Sequence, residues 1–136
     1  MNAEDQPLAI LVEDNLMFAM MVEPALKKLG YRVRILSAGA EAAARIAGEA
    51  PELVFVNLTT QRYPAPQLVR EMRARDELAE TPIVGYAGHV EREFFQAGRA
   101  AGATLVVPNS AIRAALPEVL EKVRSRLSGI AEGEDD

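Results

Sequence analysis

Five short runs rich in Val, Ile and Leu recur along the chain, each followed by a stretch in which apolar residues return at helical spacing. Runs of this length with little polar alternation suit strands covered on both faces. Strand and helix in strict alternation is the pattern of βα units on a buried parallel sheet. The pattern predicts strands over Leu8–Val12, Tyr31–Leu36, Leu53–Leu58, Ile83–Ala87 and Thr104–Val107. It predicts helices over about Leu16–Leu29, Ala40–Ala50, Gln67–Arg75, Val90–Ala101 and Arg113–Leu127. Gly30 and Gly102 each sit just past a helix, where a left-handed residue without a Cβ penalty closes the last turn. Pro24 falls inside the first helix and predicts a kink between Met20 and Pro24, whereas Pro117 belongs to the first turn of the last helix. The implied fold class is α/β, a doubly wound five-stranded parallel sheet.

Composition narrows what such a sheet can carry. With 136 residues, 49% of them hydrophobic, the chain makes one domain. It has no cysteine and a single histidine, His89, so thiolate chemistry, cysteine-ligated zinc, multi-histidine metal sites and histidine triads lack raw material. No activated nucleophile or acid/base pair is visible, and an enzyme is not expected. A net charge of −5 disfavours nucleic acid and anionic membranes as partners. Four of those charges come from Glu132, Glu134, Asp135 and Asp136, in a segment 128–136 expected to be an acidic disordered tail; residues 1–6 form a short N-terminal tail. The longest apolar run, Leu16–Val22, is too short to span a bilayer, and no basic secretory leader opens the sequence, so a cytoplasmic location is expected.

Open parallel sheets gather their chemistry at the carboxyl ends of the strands. Here those ends carry Glu13-Asp14-Asn15, Ser37, Asn57-Leu58-Thr59-Thr60, Ala87-Gly88-His89 and Pro108-Asn109-Ser110. No Gly-x-Gly-x-x-Gly or Walker-type loop follows the first strand. The run Ile10-Leu11-Val12-Glu13-Asp14-Asn15, an apolar strand opening onto paired acids and a helix, resembles the start of a response-regulator receiver domain. Leu53–Leu58 resembles the third strand of that family, Thr81–Val84 its fourth, and Ala101–Val107 the Gly-Ala-containing approach to its fifth. The resemblance covers about residues 7–127. It implies a flavodoxin-like (βα)5 domain with strand order 2-1-3-4-5.

The resemblance also implies a chemistry. A receiver accepts a phosphoryl group on an aspartate at the end of the third strand, with Mg²⁺ held by the paired acids, that aspartate and a nearby carbonyl. A hydroxyl after the fourth strand and a lysine after the fifth contact the phosphoryl oxygens. The corresponding positions here are Asn57, Ala87 and Asn109; the aromatic switch position is Val106, and Ser110 stands where a proline is usual. An amide carries no negative charge and cannot become an acyl phosphate as a carboxylate does. Without the lysine, developing phosphoryl charge loses a major electrostatic clamp. The phosphorylation pocket is thus degenerate. Glu13, Asp14, Asn57 and the Thr59 carbonyl remain as candidate oxygen ligands for a weak, vestigial Mg²⁺ site, against the plainer reading of solvated acids at a helix start. No other cofactor is expected.

Function then falls to the surfaces. On the first helix, an inner stripe of Phe18, Met21, Val22, Ala25, Leu26 and Leu29 leaves Leu16, Met17 and Met20 toward solvent. In receivers that helix docks phosphotransfer domains. On the fourth, Val90, Phe94, Gly98 and Ala101 share one face and Phe95 is displaced toward solvent; the family uses this side for dimers and output partners, so Arg92, Phe95 and Arg99 are candidates. Arg70, Arg73 and Arg75 read as a solvated basic face. The leading expectation is a stand-alone atypical receiver that binds a histidine kinase, a phosphotransfer protein, another regulator or a second copy of itself without being phosphorylated. The alternative is a small-ligand or metal sensor using the altered pocket of Asn57, Ala87 and Asn109.

Overall fold

The computed structural model describes residues 5–88 and 90–129. Strands β1 (Leu8–Val12), β2 (Arg32–Leu36), β3 (Leu53–Asn57), β4 (Ile83–Ala87) and β5 (Leu105–Pro108) form one parallel sheet in the order β2-β1-β3-β4-β5. Helices α1 (Leu16–Lys28), α2 (Ala42–Glu49), α3 (Ala65–Arg73), α4 (Arg92–Ala101), α5 (Asn109–Ala114) and α6 (Leu116–Leu127) cover it. Side chains alternate across the sheet and build two cores. Ile10, Val12, Val54 and Val56 meet α2, α3 and α4. Ala9, Leu11, Phe55, Val84 and Tyr86 meet α1, α5 and α6. The expected fold class and strand order are those observed. β1 is buried along its whole length, as a central strand with helices on both faces must be.

Most element boundaries differ from expectation by one or two residues, and one element differs in kind. The expected helix over Arg113–Leu127 is two helices, broken at Ala115, whose φ of −142° and ψ of 36° leave the helical region. Pro117 is the reason: it has no N–H, and its ring would collide with the Arg113 carbonyl in a continuous helix, so the chain restarts with proline in the first turn. α1 runs as one 13-residue helix through Pro24, which lies on its exposed side. Gly30 and Gly102 both take positive φ past their helices, as expected, and α2 ends on Ala50 at φ 51°.

Several side chains stand elsewhere than the periodicity placed them. Met21 and Leu29, expected inside, are 57% and 39% exposed, because α1 buries only the narrow stripe Ala19, Val22 and Leu26. Val90 precedes α4 and is 75% exposed. Phe95, expected outside, is half-buried against the core, with the Arg99 guanidinium 5.9 Å from its ring centroid. Arg73 is not part of a solvated face. It is half-buried and donates to the carbonyls of Leu78 (3.0 Å), Thr81 (2.6 Å) and Gly102 (2.8 Å) and to Thr104 Oγ1 (3.0 Å). His89 and the segment 130–136 lie outside the described residues.

Candidate functional site

A cleft of about 220 Å³ opens at the carboxyl end of the sheet, lined by Glu13, Asn15, Phe18, Asn57, Thr59, Tyr86 and Asn109. The fold converges these residues because β1, β3 and β4 are neighbours inside the sheet. Glu13 leaves its end, Asn57 ends the neighbouring β3, and Tyr86 stands beside Asn57 in the β3–β4 register. Asn15 caps α1, its Oδ1 accepting from the N–H groups of Met17 (3.0 Å) and Phe18 (3.3 Å).

Glu13 is the one buried charged side chain among the described residues, at 3% exposure, and it is saturated with donors. Oε2 accepts from the Asn15 N–H at 2.9 Å and from Asn57 Nδ2 at 3.0 Å; Oε1 accepts from the Tyr86 hydroxyl at 2.7 Å and from Asn57 Nδ2 at 3.2 Å. The other end of the Asn57 amide is equally committed: Oδ1 accepts from the Thr59 N–H and the Thr59 hydroxyl, both at 2.8 Å. The amide orientation follows from chemistry, since a backbone N–H can only donate and must face the amide oxygen. Burial, then the charge of Glu13, pushes the ionisation of the Tyr86 phenol far above its ordinary value, so it stays a donor. Phe18 stacks on Tyr86 at 5.5 Å between centroids, joining the site to α1.

Asp14 turns away from this cage. Its Oδ2 accepts from the Thr60 hydroxyl, and its Oδ1, buried and without a hydrogen-bond partner, lies 3.6 Å from the Arg62 guanidinium. The four candidate Mg²⁺ ligands therefore do not converge. Glu13, Asn57 and Thr59 meet in the cleft, and Asp14 is drawn to the β3–α3 loop. A divalent ion needs a shell of oxygens, whereas the Asn57 amide nitrogen points at Glu13 and its oxygen is already used. As arranged, these residues do not fit the ion. No group of three His, Cys, Asp or Glu side chains comes together among the described residues.

Asn57 and Asn109 share the cleft as expected, but Ala87 is wholly buried in the core and lines none of it. Leu16, Met17 and Met20 are 66%, 78% and 68% exposed, and with Met21 they form an apolar face on the first turns of α1, beside the cleft. Arg92 and Arg99 are exposed on α4. Tyr86 and Arg62 were not among the expected site residues, and Phe18 was expected only in the inner stripe of α1. A usable signal was present for the first: a tyrosine in the otherwise aliphatic run Ile83–Ala87 must find a partner for its hydroxyl once buried.

No curated protein sequence matches the chain. Among solved structures, one similar fold is a protein proposed as a response regulator of Chloroflexus aurantiacus, with a TM-score of 0.79 and 22% identity, covering 91% of this chain and 99% of that one. A structure of the chemotaxis protein CheY4 of Vibrio cholerae gives a TM-score of 0.77 at 23% identity, covering 87% and 98%. The receiver domain of the sensor histidine kinase PA1611 of Pseudomonas aeruginosa, solved with a magnesium ion in its active-site cleft, gives 0.77 at 20% identity, covering 90% and 98%. At these identities the likeness is one of fold. The family model for the response regulator receiver domain matches residues 9–122, most of the chain, and the chain therefore belongs to the receiver domain family of two-component signalling.

Proposed function

We propose that this chain is an atypical receiver that works by protein–protein contact without being phosphorylated. The observation that carries the reading is Asn57: it stands where a receiver needs its phosphoacceptor, and its amide is spent bridging Glu13 to Thr59. Ala87 and Asn109 remove the hydroxyl and the ammonium that would hold a phosphoryl group. The absent trigger leaves a scaffold whose apolar α1 face, Leu16, Met17 and Met20, suits a signalling partner such as a histidine kinase, a phosphotransfer protein or another regulator. Arg92, Phe95 and Arg99 form the second candidate face, and a cytoplasmic location goes with such partners. A cleft of about 220 Å³ lies below the usual range of small-molecule sites, roughly 300–1,000 Å³, which counts against the ligand-sensor alternative.

The test is an amide NMR titration of the full chain with Mg²⁺ alone, then with Mg²⁺ and beryllofluoride or acetyl phosphate. The expected result is no saturable shift at Glu13, Asn57, Thr59 or Asn109. A saturable change centred on those residues overturns the reading.

A further inference from the structure

A divalent ion at the strand ends needs both acids turned into one shell of oxygens, and this chain keeps them apart. Glu13 faces the cleft, bound by Asn57, Tyr86 and the Asn15 N–H. Asp14 is turned the other way by the β3–α3 loop, which engages both of its oxygens. Oδ2 accepts from the Thr60 hydroxyl. Oδ1 is buried without a hydrogen bond, a costly state for a carboxylate oxygen unless a charge compensates it; Arg62 Nε, at 3.6 Å, supplies that charge.

The loop holds Arg62 at that place. Thr60 Oγ1, besides donating to Asp14, accepts from the Arg62 N–H at 3.3 Å, so one hydroxyl orders the carboxylate and the backbone together. On one side of this contact, Asn57 Oδ1 accepts from the Thr59 N–H and hydroxyl. On the other, the Tyr63 hydroxyl donates to Glu71 Oε2 at 2.8 Å and its ring packs on the core. A loop tied at residues 59, 60 and 63 leaves the cation at 62 little room to swing away. The same contacts reach α1, because Asn15, the next residue after Asp14, caps that helix through the N–H groups of Met17 and Phe18.

We propose that Arg62 is the resident counter-cation of Asp14. With Thr60 it latches the β3–α3 loop to the start of α1 and keeps divalent cations from the strand ends, so that the exposed α1 face is presented in one way with or without Mg²⁺. The latch does not rest on the absence of phosphorylation.

Mn²⁺ is the probe, read on the full chain by relaxation of the Glu13, Asp14 and Thr59 amides. Asn57→Asp supplies a third carboxylate. In that background Arg62→Gln should tighten Mn²⁺ binding about tenfold, because a unit charge near the divalent ion is removed and Asp14 is freed. Arg62→Lys keeps the charge and should leave the affinity within about twofold. A second measurement retains Asn57 and needs no metal. Arg62→Gln should raise amide exchange at Asn15, Met17 and residues 59–63 about threefold. Asp14→Asn, which keeps an oxygen for Thr60 but loses the charge, should do the same, and the double variant should go no further. An Mn²⁺ affinity indifferent to Arg62→Gln, or raised as much by Arg62→Lys, overturns the proposal. So do exchange effects that multiply in the double variant, since Asp14 and Arg62 would then act apart.

Discussion

Asn57 acts at the scale of one side chain as a neutral substitute for a cation, its amide N–H group meeting both oxygens of Glu13. Asn57→Asp therefore does more than restore a family residue. It turns a donor about 3 Å from Glu13 into a second acidic acceptor, leaves Glu13 short of a partner and sets two like charges together. In metal-free buffer at neutral pH the variant should lose about 2–4 kcal/mol of stability in urea unfolding. Millimolar Mg²⁺ should return most of that loss, while the natural chain stays unmoved; a variant as stable as the natural chain without metal would contradict this role. Tyr86 makes a separate prediction in alkali. Its ionisation is raised in the folded state, by burial first and by Glu13 second, so the folded chain keeps a proton that the unfolded chain gives up. That contribution is whole below the unfolded value of about 10 and is lost as pH rises beyond it. Tyr86→Phe should cost about 1–2 kcal/mol at neutral pH through the lost hydroxyl contact, yet show a shallower fall in stability in alkali, measured by unfolding as a function of pH. Tyr63 is also raised, mainly by its hydrogen bond to Glu71, but it is only partly buried, and solvent screening keeps its share of that slope small.

Between elements, the half-buried Arg73 plays the corresponding part at the opposite end of the sheet. Its guanidinium, planar and forked, reaches from α3 to the carbonyls that lead into β4 and β5, and Thr104 Oγ1 passes the contact on by accepting from the Ile83 N–H at 3.0 Å. Lysine has neither the fork nor the reach to meet these acceptors together. Arg73→Lys should thus destabilise by about 2–3 kcal/mol in denaturant unfolding, with no effect on the cleft, whereas Arg75→Lys, at an exposed position, should change almost nothing. Arg73 also illustrates where sequence reading stops. The first, third and fifth strands were legible because a strand buried on both faces leaves an unbroken apolar run, while β2, Arg32-Val33-Arg34-Ile35-Leu36, alternates as an edge strand does; the strand ends therefore located Glu13, Asn57 and Asn109. The division of α5 from α6 was not, although Pro117 marked it, because a proline in a first turn and a proline ending the preceding helix look alike in one dimension. Nor were the positions of Arg73, Met21 and Phe95. Helical spacing says which residues share a face, but how wide a stripe is buried depends on the neighbouring element. The Tyr86–Glu13 contact spans 73 residues and is set by register alone.

For the molecule as a whole, the outer face of α1 and the β5 edge of the sheet carry different surfaces, and their chemistry separates their roles. The α1 side presents Leu16, Met17, Met20 and Met21, an apolar patch linked to the saturated cleft through the Phe18–Tyr86 stack. The β5 edge, flanked by α4 on one face of the sheet and α6 on the other, is cationic and polar-rimmed over a half-buried Phe95. Adaptable methionines exposed beside a cleft favour contact with an apolar partner surface, whereas cations over an edge strand favour an acidic one. Because Leu16, Met17 and Met20 contribute little to the core, replacing all three by Ser should change unfolding stability by no more than about 0.5 kcal/mol each. The same triple variant should weaken binding to a phosphotransfer domain or kinase of the same cell by tenfold or more, read by calorimetry, if a buried apolar cluster supplies the affinity as it does in most interfaces, at about 1.4 kcal/mol per tenfold. Arg92→Ala with Arg99→Ala serves as the counter-experiment on the other side of the sheet. If that pair abolishes binding and the α1 triple does not, the partner sits on the α4 face; the association would then weaken steeply with salt, which an α1-docked apolar contact would not.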